Sequence, residues 1–376
     1  MRTGCLIAAT IALWSATSLA DDLQQDLQAL RSVGAEGQGN EAASRAWKKI
    51  VAGEGSDLTA VLKSLDTANP LAANWIAAAF ETIADAQLAS GSLSSGELEA
   101  FVKATDQSPR ARRLAFEWLE RVDPQAPDRL IPGFIDDPSL ELRREAVARL
   151  LDEGESLVGT ATKAGEVNDP RAIALLRKAF DAARDEDQIE RAAKKLKELG
   201  QDVDLTQHYG FITTWKLIGP FDNTNGKGFD VAEPPERAID FAASYPGKKG
   251  EVSWIDQTTT DPHGMVDLNA ALGKDNDCTG YAAAEFFSSR QQNVDLRVGC
   301  ICACKFWLNG QLLGQSEVYH SGESIDQYRG TGVLKPGKNV VLIKVCQNNQ
   351  PEKWAQDWHF QLRVCDAIGT AVHSKL

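Results

Sequence analysis

Cys300, Cys302 and Cys304 alternate with Ile301 and Ala303, a spacing with its own chemistry. An extended chain points all three thiols to one face. Neighbours two apart along a strand lie roughly 6.6 Å apart with parallel side chains, a poor geometry for bridging each other. Their partners are therefore expected among Cys278, Cys346 and Cys365, as disulfides or as a set of buried thiols. A zinc site is the rival reading, but it usually needs Cys-x-x-Cys turns that wrap the ion, and the chain has none. A second group is made of hard oxygen donors. Asp222, Asn223, Asn225 and Asp230 gather in a glycine-containing loop that calcium would accept, with Asp222, Asn223 and Asp230 as the expected ligands. Turn-capping side chains account for the same residues more simply. The third candidate is Trp354, in the polar loop from Asn348 to Asp357, where an indole could stack on a sugar ring beside amide donors.

Other aromatic and imidazole groups carry less. Trp358 alternates with Phe360, Leu362 and Val364 and reads as core, whereas Trp307 could be core or rim. His320 and His359 are expected to face solvent. The chain contains no Gly-x-Ser-x-Gly elbow, His-Glu-x-x-His, phosphate loop or dinucleotide fingerprint. Its five histidines form no spaced cluster. The pattern points to binding rather than catalysis.

These residues must be positioned by two different halves. The 376 residues exceed one ordinary core, and 43% hydrophobic with 25% charged residues is a globular composition. A formal net charge of -13 argues against nucleic acid or an anionic membrane surface as partner. Residues 1–20 read as an export signal: Arg2 supplies the positive start, Cys5 to Leu13 is largely apolar, and cleavage is expected near Ala20. That run is too short for a membrane span, so the mature chain is expected to be secreted or periplasmic, without a membrane span. Cys5 leaves with the signal, and six cysteines remain in the C-terminal part.

From about residue 57 to 199 the apolar residues follow helical spacing, as in Ala111, Leu114, Ala115, Trp118 and Leu119. Asn69-Pro70, Ser108-Pro109, Asp137-Pro138 and Asp169-Pro170 each place a capping residue before a proline at the first helical position. Another helix is expected near Glu41 to Val51. Gly200 closes the last helix, and Gln201 to His208 reads as a linker. Beyond it, short strands separated by Gly, Asn, Asp and Pro turns predict a sandwich or barrel.

Lys305-Phe306-Trp307-Leu308-Asn309-Gly310, then Tyr319 to Asp326, then Leu334-Lys335-Pro336-Gly337-Lys338-Asn339 run in the order of a galactose-binding-like jelly roll. That stretch resembles carbohydrate-binding modules and the sugar-binding domain of beta-galactosidase-type glycosidases. The run from Trp215 to Asn223, continuing to Pro234-Pro235-Glu236, looks like the opening of such domains in secreted planctomycete-type bacterial proteins. The resemblance implies an accessory module without its enzyme, with Trp354, Asn309 and Tyr319 as ligand-binding residues, and it adds weight to a structural calcium. Arg112-Arg113-Leu114-Ala115 and Arg143-Arg144-Glu145-Ala146, with the Asp-Pro starts, resemble HEAT-like repeats, whose stacked helices commonly bind protein.

The expectation is a multidomain chain: signal peptide 1–20, an all-α helical-repeat-like domain over 21–204, and an all-β jelly-roll sandwich over 205–376. Its expected role is an exported, non-catalytic binding protein. The sandwich would take carbohydrate or cell-envelope glycan and the helical half a protein partner. A structural subunit of an extracytoplasmic assembly and a glycoside hydrolase-associated enzyme are the alternatives.

Overall fold

The computed structural model describes residues 21–53, 57–163, 169–320 and 322–375, with the side chains of 160–163 excepted. The expected signal peptide, with Cys5, lies outside the described residues.

The first part is helical: α1 (21–31), α2 (Asn40–Ala52), α3 (Leu58–Lys63), α4 (Pro70–Ser90), α5 (Ser95–Lys103), α6 (Pro109–Val122), α7 (Ala126–Leu130), α8 (Leu140–Lys163), α9 (Pro170–Ala182), α10 (Glu186–Glu198) and α11 (Leu205–Tyr209). Two of the four capping pairs cap through their side chains as the spacing predicts, and a third stands at the cap position without a side-chain bond. Asn69 Oδ1 accepts from the backbone of Leu71 and Ala72, Asp169 Oδ1 from Arg171, and Ser108 holds the cap position of α6. The fourth does not. Asp137 is pulled into a buried pair with Arg112, so α8 begins two residues beyond Pro138, and Ser139 Oγ accepts from Leu142 N instead. The expected linker after Gly200 also differs. Asp204 accepts from Gln207 N and starts the short helix α11 inside it.

The second part is antiparallel sheet: β1 (Thr214–Asp222), β2 (Ser244–Gly247), β3 (Gly250–Ser253), β4 (Ile255–Thr258), β5 (Val266–Asp267), β6 (Cys278–Ser288), β7 (Gln292–Cys300), β8 (Ala303–Leu308), β9 (Gln311–Ser316), β10 (Tyr328–Leu334), β11 (Gly337–Gln347) and β12 (His359–Cys365). Short helices α12 (Pro234–Arg237) and α13 (Leu268–Leu272) interrupt it. One sheet runs β4-β1-β6-β11-β8-β9 and the other β10-β7-β12-β5, with β2-β3 a separate hairpin. Alternation does the sorting. On β8, Phe306 and Leu308 enter the core between the sheets with Val341, Ile343, Leu362 and Trp358, while Trp307 faces the other side with Ile218, Tyr281 and Leu342. Residues 239–254 supply Ile239, Phe241, Tyr245, Val252 and Trp254 over that outer face. Gly314 is forced: a Cβ there would lie 2.3 Å from the Phe306 ring, where β9 crosses it beside a register shift.

By packing, the chain divides into two compact units, Met1–Glu153 and Gly154–Leu376. The second unit therefore takes α9, α10 and α11 together with the sandwich. Arg184 of the α9–α10 loop reaches Thr370 Oγ1 at 3.2 Å, and Glu190 of α10 reaches the His263 ring at 2.9 Å. Among the described residues no helix is long and apolar enough to cross a membrane.

Candidate functional site

Register fixes which residues meet. Cys278 pairs with both Asp222 and Gln347, Cys346 with Ala303, and Cys304 with Ser316. Segments 223–230, 317–320 and 348–357 therefore crowd one end of the sandwich. Leu308–Gln311 and Leu334–Gln292 pairings put Asn309 at the opposite end. The three expected ligand-binding residues thus separate. Trp354 and Tyr319 share an end, and Asn309 does not. The Asn309 side chain is spent on its own turn, with Nδ2 donating to Asn339 Oδ1 at 2.8 Å and Oδ1 accepting from Val340 N at 3.0 Å.

Trp354 is 59% exposed, the most of any large apolar side chain among the described residues. The loop beneath it is held firmly. Fully buried Gln347 donates through Nε2 to the carbonyls of Ala355 and Asp357 at 3.3 and 3.2 Å, and Asn269 Nδ2 donates to Gln356 O at 2.8 Å. The His320 ring stands perpendicular to the indole, with centroids 6.0 Å apart. Its Nε2 meets Asn348 Oδ1 at 3.1 Å, and Asn348 Nδ2 donates to Gln350 Oε1 at 3.2 Å. His320 is therefore half-buried and bonded, not solvated as expected. An anchored indole flanked by imidazole and amides can stack on a ring with one apolar face and hydrogen-bond its substituents.

Tyr319 serves as packing rather than rim. Its ring lies against Phe229, Ala303 and Cys346, and its hydroxyl accepts from Asn223 Nδ2 at 3.2 Å. Burial pushes its phenol up to about 12, against the lowering effect of that bond. His359 corrects another expectation, being half-buried against Glu323 rather than solvent-facing. Burial alone would lower its pKa, but the Glu323 hydrogen bond and charge outweigh that and hold it above the ordinary value.

Asp222 and Asp230 of the expected calcium loop have other partners, whereas Asn223 Oδ1 is buried without a hydrogen-bond partner. Asp222 Oδ1 accepts from Thr224 Oγ1 at 2.6 Å, Asn223 Nδ2 ties down Gln347 O at 2.9 Å, and Asp230 pairs with Lys305 at 3.4 Å. The Lys305 ammonium would compete with a cation. Among the described residues no group of three or more His, Cys, Asp and Glu is placed to hold a metal ion.

The cysteines also resolve differently. Cys300 ends β7 in one sheet and Cys304 lies in β8 of the other, so the chain crosses between sheets here and the three thiols do not share one extended strand. The six cysteines among the described residues are free and buried: of the two expected arrangements the buried thiols are present and the disulfides are not. Burial raises the thiols, Cys278 to about 12 and Cys346 and Cys365 to about 11, which suppresses the reactive thiolate.

Sequence reasoning missed Lys344. It is fully buried on the outer face, with Nζ donating to Phe229 O at 3.0 Å, Val231 O at 2.8 Å and Glu236 Oε1 at 2.9 Å. Tyr281 donates to the same carboxylate oxygen. The available signal was a lysine in the middle of an otherwise apolar strand, a position that demands a partner.

No protein-family model matches the chain, and no curated protein matches it. Among solved structures it is similar to an anti-sigma factor domain-containing protein from Clostridium clariflavum, at 8% identity and a TM-score of 0.26 over 44% of this chain and 45% of that one. It is similar to a family 35 carbohydrate binding module from Clostridium thermocellum, at 12% identity and 0.18 over 25% and 82%. It is also similar to a beta-glucosidase from Kluyveromyces marxianus, at 12% identity and 0.28 over 53% and 30%. The chain thus spans less than half the length of the first and third. Scores this low establish neither a shared ligand nor a shared activity.

Proposed function

We propose that the sandwich is a non-catalytic saccharide-binding module acting outside the cytoplasm, with Trp354 as its stacking platform. The observation that carries this reading is the exposure of that indole on an anchored loop. Water-exposed tryptophan on a rigid frame loses little conformational freedom on binding, so most of its stacking contact remains as affinity. His320, Asn348 and Gln350 supply imidazole and amide groups beside it for ring hydroxyls.

The test is a glycan array followed by calorimetric titration of the whole chain. Trp354→Ala should weaken the best neutral saccharide by about tenfold, the scale of an aromatic stacking contact. An array without signal, or an alanine variant that binds as tightly as the parent, would overturn the reading.

A further inference from the structure

The end of the sandwich away from Trp354 carries a cavity of about 360 Å³. That lies within the range of about 300–1,000 Å³ over which small-ligand pockets fall. Its floor is the outer sheet face, where Trp307 pairs in register with Leu342 and Val340 follows two residues away. Its wall is the segment from Pro235 to Ile239. Three cations stand round it: Arg237 on α12, Lys335 in the β10–β11 turn, and Lys338 on β11. In a chain of net charge -13 this gathering is a local reversal of sign.

The one carboxylate in the lining is already neutralised. Glu236 is held by the Lys344 ammonium at 2.9 Å and by the Tyr281 hydroxyl, so it does not cancel the rim. Arg237 uses Nη2 on Ala232 O at 2.9 Å, and a guanidinium has five N–H groups to offer. Lys338 pairs with Glu285 at 3.0 Å, but the side chains are 57% and 38% exposed, and exposed pairs hold weakly. A ligand anion entering the cavity would take Lys338 over from Glu285.

We propose that this cavity binds the anionic group of an acidic saccharide. The carboxylate of a uronic acid or a sulfate ester would lie among Arg237, Lys335 and Lys338, with an apolar edge of the sugar against half-buried Val340 and the fringe of Trp307 that the cavity reaches. Cations above an apolar floor suit a ring that bears both a charge and an apolar face. This site is separate from the Trp354 platform and stands without it.

Calorimetric titration of the whole chain tests it, with a uronate-bearing oligosaccharide, a sulfated one, a neutral oligosaccharide of the same length, and inorganic phosphate. Binding of the uronate or the sulfated ligand, whichever is the stronger naming the anion, is expected to weaken at least tenfold in Lys335→Glu/Lys338→Glu. Arg237→Gln should weaken it less, and Trp354→Ala should leave it unchanged. Glu285→Gln, which frees Lys338, should tighten it about two- to threefold, the scale of an exposed ion pair. Thermal melting of each variant confirms that it folds. Equal binding of the neutral ligand, phosphate binding as tightly as either sugar, no binding of either acidic sugar, or indifference to the double substitution would each overturn the proposal. Loss of neutral-glycan binding in Trp354→Ala bears only on the other end.

Discussion

Replacing Lys344 with methionine isolates what a buried ammonium does for this fold. Methionine keeps the unbranched apolar stem and removes the three donated bonds to Phe229 O, Val231 O and Glu236 Oε1. Removing one partner of a buried pair costs about 3–5 kcal/mol, because the other charge stays buried without compensation. Two features pull the figure to the low end of that range. The Glu236 side chain keeps 14% of its surface in water and retains Tyr281, and Val231 is exposed enough for its carbonyl to find water. The expected loss is about 3 kcal/mol, read as a fall in the urea midpoint with an unchanged slope. Hydrogen exchange should localise it: amides from Phe229 to Arg237 accelerate more than those of β12. Glu236→Gln completes a double-mutant cycle, and the two substitutions together should cost less than their sum by about 1–3 kcal/mol. A loss below about 1 kcal/mol, or strict additivity, would refute the view that this pair pins the segment to the sheet.

Two other expectations concern stability. Arg112→Met removes a buried guanidinium that meets both Asp137 carboxylate oxygens, at 2.7 and 2.6 Å, and donates through Nε to Val102 O at 2.8 Å. It should cost about 3–5 kcal/mol, seen as a lower midpoint in thermal unfolding followed by circular dichroism. His208 is half-buried against Phe180, with Arg184 near, and desolvation first and that charge second hold its pKa at about 4, below the ordinary 6.5. Since folding favours the neutral ring, its contribution is complete above pH 6.5 and falls away as pH drops toward 4. His208→Gln should flatten the dependence of melting temperature on pH in that window, and an unchanged slope would count against it.

The architecture was legible because apolar runs, turns and capping are local. Strands β6, β7, β8, β11 and β12 follow from short apolar runs between Gly, Asn, Asp and Pro turns, and α4, α6 and α9 from a capping residue before proline. Failures came where a distant partner outbid a local rule. Asp137 caps well in isolation, yet Arg112, 25 residues away, claims its carboxylate. Tyr319 looked like rim until Asn223, 96 residues away, took its hydroxyl. The cation-rimmed cavity joins residues from α12, β8 and the β10–β11 turn, and no spacing in the sequence encodes that meeting.

The six unpaired thiols place a condition on how this protein reaches its finished form. Once assembled, the sandwich shields every sulfur, so an oxidant in the medium finds little to attack. A nascent or refolding chain has no such protection, and a premature sulfur–sulfur link would trap strands in the wrong order. In an oxidising medium, collapse of the second unit would have to outrun oxidation.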